Sequence, residues 1–546
     1  MRSPSFPPTS PTLVRLALAG ACLLTAGRAG AMESFIVGPR ALGMGGANVA
    51  CVNDIQAQFY NPAAFGFFHD REPVTAMPAP PPRPDQVPAK DSQVPAGGQT
   101  PIAAQAPIAD SEYSGGGFWP SDNEHLGRKA WGFGFDAGVG VRIHGDAADL
   151  IDQLKKLHDD GAFDRLSTSG ITTQQDAADA LKALNSLENL AQPQNAVSVD
   201  ANGGVGLRIG HFGLGVRAYA QATAHEQTLD LVNLGLGTGG AGQVENQVSG
   251  LGAISGNDNQ TLLFTPAQVS DLETNHGFSP TTVQELDFLA RQNGVTAGQA
   301  QNLVSILGTA NDGTGGALNT NQTDIRVYGA GIVEFPFTYG YAFDEHLAVG
   351  VNVKLMVGEV FLADIKAESG STSTSGASTE HATKKTVNLG IDLAAMYRTR
   401  WVNFGLTARN INSPDFGGPT LNGFVAPKFT ASPQFTGGVA FVPWETLTVA
   451  ADCDLTKGST TFDGYESQDL RFGAEWNILH FLALRGGAYR NLAENDIGWV
   501  ATAGLGLDFY VLRTDFAIAA ATQKTTYDGR EIPREIRASW QLLVDF

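Results

Sequence analysis

The last twelve residues alternate between apolar and polar side chains, with one exception at Leu543. Because successive side chains of a strand point to opposite faces, they predict a strand with one apolar and one charged face. The apolar set is Ile536, Ala538, Trp540, Leu542, Val544 and Phe546, and the polar set is Glu535, Arg537, Ser539, Gln541 and Asp545. Barrels of Gram-negative outer membranes commonly end in such a strand. Trp540 and Phe546 are therefore the predicted barrel-assembly signal.

The N-terminal end is typical of a secreted protein. Basic residues precede an apolar stretch from 16 to 26, and Ala29-Gly30-Ala31 fits a small-x-small cleavage site. We therefore predict a signal peptide over residues 1–31 and localisation in the outer membrane. A membrane-anchoring helix is disfavoured because a span needs roughly 20 apolar residues. A lipoprotein signal ending at Cys22 is a further alternative, with a shorter apolar run before it.

Composition narrows the class of membrane protein. After residue 31 the sequence has no apolar run long enough for a transmembrane helix, and only a closed barrel then satisfies every backbone polar group. The net charge of −20 disfavours direct nucleic-acid binding, which needs a basic surface. Cys51 and Cys453 belong to no CxxC pair, and we place them on opposite sides of the barrel wall, where no bridge forms.

Alternating segments dominate the chain from Trp131 onward. Their number predicts an all-β fold: an antiparallel transmembrane β-barrel of about fourteen strands, an even number as in bacterial barrels. The predicted strands cover 131–143, 205–209, 212–218, 325–343, 347–357, 387–397, 402–408, 435–441, 447–455, 470–476, 481–490, 499–509, 511–520 and 535–546.

The links between these strands alternate in length. Every second link has only a few residues and the others are longer, as expected for periplasmic turns and external loops. A secreted, soluble β-sandwich explains the alternation but neither the turn asymmetry nor the terminal Phe546. Apolar spacing and Ser/Thr-Pro helix starts predict helices in the external loops 145–196 and 226–322.

The chain divides into four parts. Residues 1–31 are the signal peptide, 32–68 a glycine-marked leader, 69–128 a Pro/Ala-rich linker that cannot bury a core, and 129–546 the barrel.

The leader carries a family resemblance. It contains Arg40-Ala41-Leu42-Gly43-Met44-Gly45-Gly46-Ala47 and then Asn61-Pro62-Ala63. With Arg409–Pro414 and Arg485-Gly486-Gly487 in the same order, the chain resembles FadL-like outer-membrane barrels and, among them, conjugal transfer protein TraF in its barrel form. The resemblance implies that residues 32–68 fold into the lumen as a hatch or plug. We expect a hinge or anchor at Arg40, Gly43, Gly45, Gly46, Asn61 and Pro62.

Ionic side chains on the inward faces are the remaining candidates. Mixed charges there are expected to pair and to hold the plug, and a minority to form a polar path; the principal candidates are Asp392, Asp452, Asp454, Arg471, Glu475 and Arg485. Arg40 is expected to anchor on a luminal carboxylate, with Asp392, Asp452 or Asp454 as its partner.

Two functions stay open. The resemblance implies passive passage of hydrophobic small molecules through a plugged lumen, and the alternative is a structural, partner-binding component of a conjugal transfer or other envelope machine. An enzyme is not expected, because no GxSxG turn and no nucleophile with a base in reach is evident in the sequence. We expect no cofactor and no metal. The expected partners are outer-membrane lipid, the barrel-assembly machinery, and either hydrophobic small molecules or envelope transfer proteins.

Overall fold

The computed structural model describes residues 30–31, 35–68, 131–190, 192, 194–228, 240–313, 324–366, 379–444, 446–462, 464–478, 481–509 and 512–545. The predicted linker, Phe546 and all of the predicted signal peptide except Gly30 and Ala31 lie outside these residues.

Fourteen antiparallel strands form one closed barrel, as the alternation predicts. In chain order they are β1 (Trp131–His144), β2 (Ala196–Ile209), β3 (Phe212–Thr228), β4 (Asp324–Ala342), β5 (Leu347–Lys366), β6 (Thr379–Arg398), β7 (Val402–Arg409), β8 (Gln434–Trp444), β9 (Leu447–Asp454), β10 (Asp469–Ile478), β11 (Leu482–Asn491), β12 (Trp499–Phe509), β13 (Leu512–Ala521) and β14 (Glu535–Asp545). Each strand pairs with its neighbour in sequence, and β14 pairs with β1 from Gly132↔Asp545 to Arg142↔Glu535. Closure removes both edges of the sheet, so the ladder satisfies the strand backbones internally.

Several strands extend further on the long-loop side than the alternation predicts. β2 begins at Ala196 rather than 205, β5 continues to Lys366 and β6 begins at Thr379. The alternation did not reveal these extensions: in β2 it continues outward at Val197, Val199 and Ala201 but is interrupted by Gly203-Gly204, and in β5 and β6 the exposed pair Lys385–Glu359 puts charges on the outward face.

The outside of the barrel is a broad apolar surface. Strand side chains that point outward are large and exposed, among them Phe133, Leu214, Phe337, Val353, Leu389, Phe404, Val449, Phe516 and Ile536. Four exposed tryptophans lie at or near the end with the short links, namely Trp131, Trp401, Trp444 and Trp476, and exposed Trp499 lies at the long-loop end. An apolar band with an aromatic girdle is the exterior of a transmembrane barrel.

Seven helices in the two longest described loops form a cap. They are α3 (Ala147–Asp159), α4 (Ala162–Ser169), α5 (Gln174–Leu190), α6 (Gln243–Ser249), α7 (Pro266–Thr274), α8 (Pro280–Gln292) and α9 (Ala300–Asn311). Helices α1 (Pro39–Gly43) and α2 (Ala57–Tyr60) precede the barrel strands in the chain. No helix among the described residues is both long and apolar enough to cross a bilayer.

Local sequence explains where the cap helices begin. Thr265 and Gln268 form a capping box at α7, and Ser279 accepts a hydrogen bond from the backbone of Thr282 at α8. Asp176 accepts hydrogen bonds from the backbone and hydroxyl groups of Thr172 and Thr173 in the first turn of α5.

One apolar core joins the two loops of the cap. It includes Leu181 and Leu184 from α5, Leu286 from α8 and Leu303 and Val304 from α9. The predicted apolar face of α3 is correct for Leu150 and Leu157, which are buried, and wrong for Ile151, which is exposed. Asp149 and Asp152 of α3 accept hydrogen bonds from the hairpin of Lys524–Tyr527 and Arg530–Pro533, which lies between β13 and β14.

The loop between β7 and β8 folds back onto the inner face of the tallest strands. Phe416 and Phe429 are fully buried there against Met356, Val360 and Leu362. This loop fills the upper part of the barrel on that side.

Candidate functional site

The lumen is occupied by residues 35–68, hereafter the luminal segment. It contains α1 (Pro39–Gly43), α2 (Ala57–Tyr60) and a 3-10 helix over Pro62–Phe67, and every residue except Asn53 is buried. The first part lies deep in the barrel, where Asn202 Nδ2 is 3.5 Å from the carbonyl oxygen of Ile36. The last part lies at the short-link end, where the Arg208 guanidinium sits 4.3 Å from the ring centre of Phe68.

The Asn61-Pro62 motif begins the 3-10 helix in the second half of the segment. Asn61 caps the 3-10 helix by accepting a hydrogen bond from the Ala63 N–H, and Pro62 occupies the first helical position. The Asn61 side chain also donates to the carbonyl oxygen of Val49 at 2.9 Å. The motif therefore ties two parts of the segment together.

Glycines on both sides allow the segment to pack backbone to backbone against the wall. Gly45 and Gly46 have φ of 63° and 86°, which other residues rarely adopt. A Cβ at Gly487 of β11 would lie 2.5 Å from the Gly45 nitrogen, and one at Gly43 would lie 3.0 Å from the Gly504 Cα. The predicted hinge glycines are thus close-packed positions in this structure, and the hinge role stays a prediction.

An ion-pair chain fixes the first helix of the segment. Arg40 donates to both carboxylate oxygens of Glu475 at 2.9 and 3.0 Å, and also to Asn48 Oδ1 and the Cys51 carbonyl. Glu475 in turn accepts from Arg485, whose other nitrogen donates to Asp515. Arg40 is 1 % exposed, so these hydrogen bonds and the Glu475 carboxylate replace the water that would otherwise stabilise its charge.

The three carboxylates predicted as partners of Arg40 bind elsewhere. Asp452 accepts from the backbone N–H groups of Asn48 and Val49, so it also holds the segment, but through main chain. Asp392 pairs with Lys354, and Asp454 pairs with Arg471. The prediction of these three as partners of Arg40 is wrong: Asp392 and Asp454 pair with cations of other strands, and Asp452 binds the backbone of the segment instead of its arginine.

Sequence reasoning missed a second set of contacts to the segment. Gln56 donates to Asp136, which pairs with Arg217 at 2.8 Å. Arg398 and Arg409 lie 3.4 and 3.8 Å from the ring centres of Phe67 and Phe59. Strand parity alone places these charges inside, but nothing in the sequence links them to particular residues of the segment.

The luminal spaces that remain are small. One cavity of about 20 Å³ is bordered by Ile36, Tyr489 and Arg537, and another of about 10 Å³ by Phe35, Tyr219 and Ile332. Volumes of this size suit about one water molecule. Neither of these two cavities has room for a small organic molecule while the luminal segment lies beside them.

The predicted assembly signal lies on the outer face. Trp540 is partly exposed, its ring lies against Phe135 and Phe516, and its Nε1 donates to Thr514 Oγ1. Phe546 lies outside the described residues.

The two cysteines are on opposite sides of the wall, as expected. Cys51 is buried in the luminal segment, and Cys453 is a partly exposed residue of β9; both are free.

A comparison with solved structures finds two proteins described as a toluene transporter and a monoaromatic hydrocarbon channel, and a FadL homologue. The chain is similar to the toluene transporter TodX of Pseudomonas putida, with 11 % identity over 95 % of this chain and 99 % of the other and a TM-score of 0.37. It is similar to the monoaromatic hydrocarbon channel CymD at 10 % identity, 93 % and 97 % coverage and a TM-score of 0.40. A FadL homologue of Pseudomonas aeruginosa has 9 % identity, 94 % and 99 % coverage and a TM-score of 0.38.

No curated protein sequence matches the chain. A family model described as "F plasmid transfer operon, TraF, protein" matches residues 123–454, more than half of the sequence. This match confirms the predicted family: the chain belongs to the TraF family of the F plasmid transfer operon.

Proposed function

We propose that this chain is a closed, structural barrel of the outer membrane that presents its helical cap to a partner in an envelope machine. The observation that carries the proposal is the filled lumen, in which a buried ionic chain runs from Arg40 of the luminal segment to Glu475, Arg485 and Asp515 of the barrel wall. A channel would need a path, whereas a scaffold gains rigidity from a filled barrel. The apolar exterior supports the membrane location, and the family description favours plasmid transfer as the process.

The cap supports a binding role on independent grounds. Its core is separate from the luminal core, and the two long loops contribute to it jointly. A loop that only needed to connect strands would not need a core of its own. A preformed core holds a binding surface in one conformation and so lowers the entropic cost of association.

Passage of hydrophobic small molecules is the second candidate. One side of the smaller cavity favours it, since Phe35, Ile332 and Met356 line that cavity together with polar residues such as Glu334 and Arg409. Passage requires the luminal segment to move, which breaks the contacts of Arg40 and Asp452 described above.

One complementation experiment separates the two functions. Donor cells that lack the gene receive the full chain, a chain with residues 240–313 replaced by a short Gly/Ser linker, or Gly486→Ala as a control on the outer face. We expect the linker variant to lose plasmid transfer while its barrel still shows heat-modifiable migration in gels. The control keeps both properties.

The same cells report on passage. Uptake of a hydrophobic tracer should not change when the gene is removed. If tracer uptake falls when the gene is removed while plasmid transfer is unchanged, the proposed structural function is wrong and passage takes its place.

A further inference from the structure

Strand β6 has an unpaired edge at the long-loop end of the barrel. It pairs with β5 along its length, up to Ile365↔Thr379. On its other side it pairs with β7 only from Arg398↔Asn403 to Leu393↔Ala408, because β7 ends at Arg409. The part of β6 before Leu393 therefore has no strand on that side in the described structure.

The hydrogen bonds of Ile391 show which main-chain groups point to this edge. Its carbonyl oxygen accepts from the Ile411 N–H at 3.0 Å, and its own N–H donates to Asn412 Oδ1 at 2.9 Å. Main-chain groups along an antiparallel strand alternate in direction every residue, so the odd-numbered residues before Ile391 present theirs to the same edge. Those of His381, Thr383, Lys385 and Val387 have no partner there among the described residues.

The loop between β7 and β8 covers the inner face of this stretch and leaves its edge open. The Gly417 N–H donates to Thr386 Oγ1 at 3.2 Å, and Asn422 Nδ2 donates to the Glu380 carboxylate. Both acceptors belong to the even-numbered side chains, which face inward. The odd-numbered side chains are exposed, namely His381, Thr383, Lys385 and Val387.

The outward side chains place this edge at the upper boundary of the apolar band. Leu389 and Val387 are apolar and 57 % and 60 % exposed, whereas Lys385 forms an exposed ion pair with Glu359 of β5. Unpaired main-chain groups are costly in hydrocarbon, where water cannot bond to them. The edge above Val387 is therefore accessible from the side of the long loops.

A row of N–H and C=O groups at strand spacing is complementary to the main chain of another extended segment. A two-fold pair of copies in one membrane does not fit. Barrel strands tilt by about 35–45° from the membrane normal, so a two-fold axis along that normal would cross two β6 strands at about 70–90°. Neighbouring strands of a sheet are rotated by only about 20–25°.

We propose that the β6 edge from His381 to Val387 is the docking site for an extended segment of a different protein, which adds to the barrel wall as a further strand. This inference rests on the proposed structural function and names how the partner binds. The main-chain groups of the edge provide the hydrogen bonds. Exposed Lys384 has no carboxylate partner in the described structure and favours an acidic residue in the docked segment.

Proline at position 385 tests the edge selectively. Lys385→Pro removes an N–H that makes no bond within the described structure, so the β5–β6 ladder stays intact, and proline is tolerated on an open strand edge. Lys385→Ala loses the same side chain and the same pair with Glu359 but keeps the N–H. The ratio between the two variants therefore reports the main-chain group alone. Lys457→Ala, which breaks an exposed pair with Glu466 in the link between β9 and β10, is the control away from the edge.

Hydrogen exchange resolved to single amides measures whether the edge is occupied. Outer membranes from cells with the complete plasmid transfer system are compared with membranes from cells that express this gene alone. The amides of Thr383 and Val387 should exchange at least about tenfold more slowly in the first membranes, and Lys385→Pro should abolish this difference. The amides of Lys384 and Thr386, which point to β5, should be slow in both.

Plasmid transfer by the same variants separates this inference from the proposed function. Transfer with Lys385→Pro should be at least about tenfold lower than with Lys385→Ala, while both barrels keep heat-modifiable migration. Equal exchange at Thr383 and Val387 in the two membranes, or equal transfer by the two variants, would overturn the inference. If the variant without residues 240–313 still loses transfer in that case, the proposed function stands. If transfer continues without the gene, the proposed function is wrong, and slow exchange at the edge would still show a docked segment.

Discussion

Gly487 and Gly486 are adjacent residues of β11 that offer a matched test of the filled lumen. Gly487 faces inward, and a Cβ there would lie 2.5 Å from the Gly45 nitrogen and 2.6 Å from the Met44 carbonyl carbon. Gly486 faces outward, and a Cβ there would meet nothing within 4 Å. Gly487→Ala should therefore displace the luminal segment, while Gly486→Ala should not.

The size of the effect follows from which atoms collide. Ordinary contacts of a Cβ begin at 3.4 Å, so the overlap at Gly487 is close to 1 Å and falls on main-chain atoms that cannot rotate away. Overpacking costs about 1–3 kcal/mol, and a rigid neighbour favours the upper end. Since 1.4 kcal/mol is a factor of ten, the population of the displaced segment should rise by about a hundredfold.

Hydrogen exchange followed by mass spectrometry measures this population. Peptides from residues 35–68 should exchange about a hundredfold faster in Gly487→Ala. Peptides of the barrel strands other than β10 and β11 should be unchanged, since the added Cβ also lies 2.5 Å from the Phe472 carbonyl oxygen of β10. Gly486→Ala should exchange like the wild type, because the added methyl group lies in open space and only reduces the conformational freedom of the unfolded chain. Equal protection of residues 35–68 in both variants would refute the close packing described here.

Four further variants test other parts of the chain. Arg40→Met should raise hydrogen exchange of the luminal segment by about a hundredfold or more. Breaking a buried ion pair costs about 3–5 kcal/mol, and Arg485 still compensates part of the Glu475 charge. As a control, Lys155→Met removes an exposed ion pair in the cap and should leave the melting temperature within a degree or two of the wild type. Asp176→Asn should destabilise the cap at neutral pH. Burial raises the pKa of Asp176, but its hydrogen bonds outweigh this and lower the pKa to about 2, so this stabilisation is present above about pH 4 and disappears as the pH falls toward 2. Melting curves of both chains that stay equally far apart down to pH 2 would contradict that assignment. Phe546→Ser should lower the amount of folded barrel in the outer membrane, measured by heat-modifiability, and an unchanged amount would remove the assembly role of that residue.

Local patterns predicted the barrel because each lipid-facing strand segment carries its own signal. Leu347 to Val357 alternates apolar and polar residues without help from distant parts of the chain, and the structure places a strand there. The extension of β2 back to Ala196 was missed, because Gly203-Gly204 separates the predicted strand from the alternation that continues at Val197, Val199 and Ala201.

Pairing inside the lumen depends on distant residues. Arg40 and Glu475 are separated by 435 positions, so parity could place Glu475 inside but could not select it over Asp392, Asp452 or Asp454. The hydrogen bonds that join His144 to Ser198 and Asp496 have the same origin, because these residues meet only when β1, β2 and the β11–β12 link are brought to one end of the barrel.

Conductance across a planar bilayer tests the filled lumen most directly. Full-length chain inserted at single-molecule density should add no current steps to the bare membrane, and Gly487→Ala should produce brief openings. Steady current steps from the wild-type chain, of the same size as those of Gly487→Ala, would contradict the account.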